Sequence, residues 1–273
     1  MLFRLLALFR NELSKLGRSK LTWLGAGATA LTSFLWPQGA IIAGASAHFT
    51  GFIFLKTVAA TAFESVIPLF VVLSAASLMA SEAQLGTDRT VLCGPAKRWE
   101  WLAAKYLAAL GFAALLMAVH VATAVWAAWK YDFAFRGYEE FGEIIVPASA
   151  TARHYALAYL WLFLPMAAAA AFGLMVSTLA GGALGAAMGA GAGLFASLMV
   201  FKPVLKIGGF DLAPWFFMSH LGASLQIAEE LSAAMSQGWW RDSLRDGTLI
   251  HLGTIGVCLA VSFWMFQRRD LTG

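Results

Sequence analysis

Runs of about 20 consecutive, mostly apolar residues constrain this chain more than any other feature. A hydrocarbon core needs a helix of about that length to cross it, because no water is present there to satisfy backbone polar groups. The hydrophobic fraction is 60% and the mean hydropathy +0.73, against roughly 45–50% apolar residues in soluble domains. The pattern predicts an all-α, multi-pass membrane protein with six transmembrane helices. They fall at about 21–43, 54–80, 106–129, 154–178, 184–204 and 248–266. Together they form one transmembrane domain over 21–273, preceded by a separate element at 1–20.

That first element reads as an amphipathic helix. Leu2, Leu5, Leu6, Phe9, Leu13 and Leu16 recur at helical period, with Arg4, Lys15 and Arg18 opposite. A basic face opposite a Leu/Phe face suits a helix lying in the membrane interface. The competing reading is a signal peptide, with Ala45-Ser46-Ala47 as a small-residue cleavage site. The long apolar run and the helical basic region oppose it.

Two ionisable residues interrupt the second run. Lys56 is placed to snorkel to the outer interface, while Glu64 lies two turns deeper. A carboxylate at depth costs at least ~2.5 kcal/mol unless it faces protein or water. Glu64 is therefore either a pathway residue or a structural carboxylate paired in the bundle or near the interface. In the third run Met117 and His120 share a face, a spacing open to a soft metal, but two residues make no site and such residues pack in a core more often than they ligate. Pro165 is expected to kink the fourth span. Gly181, Gly185, Gly189 and Gly193 repeat every fourth residue into the fifth, a face that lets another backbone approach closely. No Lys-Ser or Lys-Thr follows them, which excludes a P-loop.

The polar stretches between these runs differ in character. Lys130–Arg153 reads as an outer loop carrying Asp132, Glu139, Glu140 and Glu143. Lys202–Gly247 is too long for an unstructured connection. Its Pro214-Trp215-Phe216-Phe217 segment and spaced leucines predict short outer helices before the last span, with Trp239 and Trp240 as interfacial anchors. Cys93 and Cys258 offer no disulfide framework and no CxxC spacing.

The stretch Ser81–Lys105 is the long polar interruption of the first half, in a chain only 12% charged. Glu82 stands at its start, then Gly86-Thr87, then Pro95, Arg98 and Lys105 at the entry to the third span. Thr87-Asp88 are placed to cap a short helix into Val91 and Leu92, with Arg89, Lys97 and Arg98 available to acidic groups. This order resembles the cytosolic loop between the second and third spans of ABC-2-type permeases, the membrane subunits of many ATP-driven exporters. It departs from the usual pattern at Cys93-Gly94. The ending Phe266-x-Arg268-Arg269-Asp270 resembles the same family, so the likeness covers nearly the whole chain.

Orientation follows from the basic residues. Arg4, Arg10, Lys15, Arg18 and Lys20 at the start, the central loop, and Arg268-Arg269 at the end give one side a clear positive excess, which places both termini and the loop 81–105 in the cytoplasm. The net charge of +4 reflects this bias and calls for no nucleic-acid partner.

The chain carries no Walker A lysine, no HExxH and no recognisable nucleophile–base pair, so it is not expected to be an enzyme. The resemblance implies a permease subunit, an exporter by the family's more common direction, in a bacterial inner membrane. It also implies a second permease copy or paralogue, contact with membrane lipid, and cytosolic ABC ATPase subunits that hold ATP and magnesium. No cofactor is expected on this chain. Glu82, Gly86, Thr87, Asp88, Arg89, Pro95 and Arg98 would couple it to the ATPase. The alternatives are a non-transporting anchor or signalling subunit of an ATPase complex, and an intramembrane enzyme using Glu64 or His120.

Overall fold

The computed structural model describes residues 2–42, 50–87, 97–140, 143–180, 182, 185–186, 189–191, 193, 206–207, 210–211, 217–220, 223–232 and 240–268. Helix α1 (Leu2–Arg18) is followed by α2 (Lys20–Ile42). Next come α3 (Gly51–Thr61), a π turn (Ala62–Val66) and α4 (Ile67–Leu85), then α5 (Arg98–Lys130). A hairpin, β1 (Tyr138–Glu140) with β2 (Glu143–Val146), leads into α6 (Ala148–Leu179). A two-residue pair, β3 (Lys206–Ile207) and β4 (Phe210–Asp211), precedes a 3₁₀ turn (Phe217–His220), α7 (Ala223–Ser232) and α8 (Trp240–Arg268).

The protein is predominantly helical. Among the described residues, four helical stretches are long and apolar enough to cross a membrane: Gly51–Leu85, Arg98–Lys130, Ala148–Leu179 and Arg241–Arg268. They contain the second, third, fourth and sixth expected spans. The first expected span falls on α2, which is not among these four. The fifth, 184–204, lies largely outside the described residues.

Helix α6 is the centre of the packing, against α4, α8, α7 and α5. Met166 through Ala171 are all buried, so this part of α6 meets protein on every side. Small side chains make that possible, since membrane helices associate through close van der Waals contact. Gly173 shows it most sharply: a Cβ there would lie 2.6 Å from the Val72 carbonyl oxygen of α4. Ala186 and Ala190 join the same core. Helix α6 runs through Pro165 without a break.

The π turn has a local cause. Pro68 has no N–H to give the Glu64 carbonyl four residues earlier, and the Ile67 N–H reaches back to Ala62 O instead.

The helices extend beyond the apolar runs. Ser81–Leu85 belongs to α4 and Arg98–Lys105 to α5, so the polar stretch read as a loop over 81–105 is helical at both ends. Helix α8 begins at Trp240 rather than near Thr248, its first turns carrying an Asp242–Arg245 ion pair at 3.2 Å. At the far end, the outer loop read over 130–153 contains the hairpin. Its arm docks on α3 through Gly51 N donating to Ala134 O at 2.9 Å and through Phe54 against Phe133.

Candidate functional site

Three helices meet where α4 ends and α5 begins, and four charges lie between them. Helix α1 turns Glu12 and Leu16 inward, with Leu5, Leu8 and Phe9 partly covered on the same side. Leu6 and Leu13 of the Leu/Phe stripe are uncovered instead, at 61% and 37% exposed, and Phe3 beside them is 89% exposed. The inward line at 5, 8, 9, 12 and 16 has helical period, and it carries a carboxylate into the bundle.

Lys105 of α5 receives it. This lysine is completely buried, with Nζ 3.1 Å from Glu12 Oε2 and 2.8 Å from Glu82 Oε2 on α4. It donates to Leu78 O at 2.9 Å and lies 4.5 Å from the Trp101 ring centre. The Glu82 contact is a close ion pair without hydrogen-bond alignment. Lys15 closes the ring from the rim, 2.7 Å from Glu12 Oε1 and in contact with Glu82 Oε1. Two carboxylates and two ammonium groups make the cluster neutral, which is what a nearly dry site requires. Burial on its own lowers the Lys15 pKa, but hydrogen bonds to Glu12 and Glu82 outweigh it and leave it raised. The Lys15 contribution to stability is therefore complete below the ordinary lysine range and fades only as pH rises through the raised value.

A second clasp adjoins the first. Arg98 Nη1 donates to Phe266 O at 3.0 Å and Gln267 O at 2.8 Å, the carbonyls at the end of α8. A cation at a helix C-terminus satisfies carbonyls that have no intrahelical donor. Trp101 stacks on Phe266 at 5.0 Å between centroids. Glu100, itself buried, accepts from Lys97 N at 3.0 Å and fixes the start of α5. Lysine has no acceptor, so only this half of a capping box operates.

The α4 side is held as well. Ser177 Oγ of α6 accepts from Met79 N and Ala80 N at 3.1 and 3.0 Å. Gly86 then ends α4 at φ +68°, a left-handed cap that glycine adopts without steric cost. Thr87 Oγ1 reaches back to Glu82 O at 3.4 Å. A cavity of about 410 Å³ opens between α1 and α4 beside Glu12, Lys15, Ser81, Glu82 and Thr87.

The residues expected to act together therefore divide. Glu82 and Lys105 meet directly, Gly86 and Thr87 shape the exit of α4, and Arg98 is engaged with α8. Asp88, Arg89, Pro95 and Gly181 lie outside the described residues. Among the described residues, a Cβ added at Gly185 would meet nothing within 4 Å, one at Gly189 would lie 3.6 Å from Val176, and one at Gly193 would lie 3.2 Å from Phe172. Glu64 is exposed in the π turn. His120 is buried in a polar relay, 3.5 Å from Ser33 Oγ through Nδ1 and 3.4 Å from the Tyr159 hydroxyl through Nε2. Met117 packs against the core, and no metal-ligating group of three is present among the described residues. Lys56 forms an ion pair with Glu229 of α7.

Sequence reasoning counted Glu12 and Lys15 only toward charge and amphipathicity and missed their place in the cluster. Their signal was the i,i+3 pair of opposite charge on a leucine-rich helix, together with a lysine inside the start of an apolar run.

The sequence model of the family DUF2705, described as a protein of unknown function, matches residues 24–272. The chain belongs to that family. No curated protein matches it.

Proposed function

We propose that this member of the DUF2705 family is the permease subunit of an ATP-driven ABC exporter, working with separate cytosolic ATPase subunits. In this reading six helices cross a bacterial inner membrane, with α2 as the first span and 184–204 as the fifth. Both termini and the loop after α4 are cytoplasmic, by the excess of Lys and Arg on that side. Helix α1 lies in the interface, its exposed Phe3, Leu6 and Leu13 turned to lipid. A second permease copy or paralogue completes the path. ATP and magnesium reside on the partner ATPase.

The observation that carries the reading is the buried cluster Glu12–Lys105–Glu82–Lys15. It joins an interfacial helix to the second and third spans at the point where the connecting segment leaves the membrane. A force applied to that segment by a closing ATPase reaches three helices at once, and Arg98 passes it to α8. Ion pairs of defined geometry suit such a joint because breaking one partner is costly, so the helices move as a unit.

The test is co-purification of the tagged chain with its ATPase, then reconstitution. ATP-hydrolysing complexes are expected with the parent. Lys15→Ala weakens the joint only at its exposed rim and is expected to retain assembly while hydrolysis becomes less tightly linked to cargo movement. Failure of the parent to bring down any ATPase under native-membrane extraction would sink the proposal.

A further inference from the structure

Two cavities at the hairpin end have no part in the joint. The larger, about 580 Å³, is a lateral groove between α5 and α6. Val121 and Val125 form one wall and Ala148, Ala152 and Ala156 the other, each set at helical spacing. Helix α6 also contributes Ser149, Tyr155 and Tyr159 to the lining, and its three alanines leave space along the wall. Its size falls within the range of about 300–1,000 Å³ typical of ligand sites. Val121, Val125 and Phe135 remain 37%, 42% and 38% exposed along it, so it opens sideways rather than into the core.

The second cavity, about 410 Å³, lies under the hairpin and shares Phe52 and Tyr155 with the groove. Its polar lining includes Arg136, Glu139, Glu229 and Ser232. Glu229 is taken by Lys56. Arg136 and Glu139 are exposed and have no ion-pair partner among the described residues. A largely carbon-lined groove thus adjoins a cavity whose Arg136 and Glu139 make no ion pair among the described residues.

We infer that this groove binds a membrane phospholipid with a zwitterionic phosphate–ammonium head, one acyl chain lying between α5 and α6. The phosphate meets Arg136, whose guanidinium fits phosphate oxygens in paired hydrogen bonds, and the ammonium meets Glu139. A chain already in lipid gains no hydrophobic free energy on entering an apolar groove, so shape and headgroup decide occupancy. An anionic lipid lacking the amine leaves Glu139 unmatched. Lipid binding here needs no ATPase and is measured on this chain alone.

The experiment uses the full chain in nanodiscs of phosphatidylglycerol containing a small fraction of phosphatidylethanolamine with a diazirine-tipped acyl chain. Photolabelled residues are mapped by mass spectrometry. Labelling is expected to concentrate on the Val121–Val125 and Ala152–Ala156 walls, at least fivefold above that from an equally tipped phosphatidylglycerol. Arg136→Ala and Glu139→Ala are each expected to lower it several-fold, and Ala152→Phe to abolish it by filling the groove. Leu160→Phe, on a 71% exposed position of the same helix, keeps it and controls for folding, with monodispersity checked for every variant. Equal labelling by the two lipids, or labelling indifferent to Ala152→Phe in a monodisperse protein, overturns the assignment.

Discussion

Lys105 is the residue on which most depends. Removing its ammonium leaves Glu12 and Glu82 buried with only Lys15 to neutralise them. Lys105→Met is therefore expected to destabilise the protein by about 3–5 kcal/mol, the cost of breaking a buried pair from one side. Adding Glu12→Gln restores neutrality and recovers much of the loss, since Lys15 still faces Glu82. Lys15→Ala, at a side chain 45% exposed whose place water can take beside the carboxylates, is expected to cost clearly less than Lys105→Met. Thermal unfolding in detergent ranks the three, and a Lys15→Ala effect as large as that of Lys105→Met contradicts the burial argument. Gly86 tests backbone rather than charge. A Cβ there meets nothing within 4 Å among the described residues, so Gly86→Ala is expected to cost what φ +68° costs, about 1–2 kcal/mol. Gly86→Asn, which tolerates the left-handed region, is expected to cost less in the same melt.

Among elements, α6 and its contact with α4 decide how the bundle closes. Gly173→Ala places a methyl group 2.6 Å from Val72 O and 2.9 Å from Ala75 Cβ, where two backbones leave no room. Overpacking of this kind costs about 1–3 kcal/mol and should lower Tm. Gly185→Ala, with open space around it, should leave Tm unchanged. A pair of equal Tm values would show that the α4–α6 contact yields more readily than the geometry implies. The regular glycine repeat drew attention to 181–193, yet among the described glycines the tightest approach between two helix backbones belongs to Gly173, which follows an alanine run. Periodicity reports which residues share a face, not which face finds a partner.

For the whole molecule, sidedness is the property the proposed mechanism needs. Cys258 is buried in α8, and Cys93 belongs to the segment joining α4 to α5. A membrane-impermeant maleimide is expected to label Cys93 in inside-out vesicles and to leave right-side-out vesicles unlabelled. Cys258 should react only after unfolding. Labelling of Cys93 from the outer face reverses the orientation and with it the placement of the joint. The groove and the charge cluster sit at opposite ends of α5, so the proposed ATPase contact and the proposed lipid site would not compete for the same part of that helix.

How much was legible follows from the range of the interactions. Long apolar runs announced their helices because bilayer thickness sets a length that a sequence displays directly, and the runs at 54–80, 106–129 and 154–178 lie within observed helices. Helix ends were less legible. Glu82 and Lys105 look like loop residues by composition, but each neutralises the other across two helices and so remains helical. The Tyr138–Val146 hairpin was invisible for a similar reason: its arm is fixed by Gly51 and Phe54, far away in sequence. Glu12 is the clearest case. On α1 alone it is one acid on a basic amphipathic helix, and only the fold brings it within 3.1 Å of a buried lysine 93 positions away. Chain-local chemistry determined which helices are long and apolar enough to cross a membrane, whereas the pairing of charges between α1, α4 and α5 was decided by tertiary proximity.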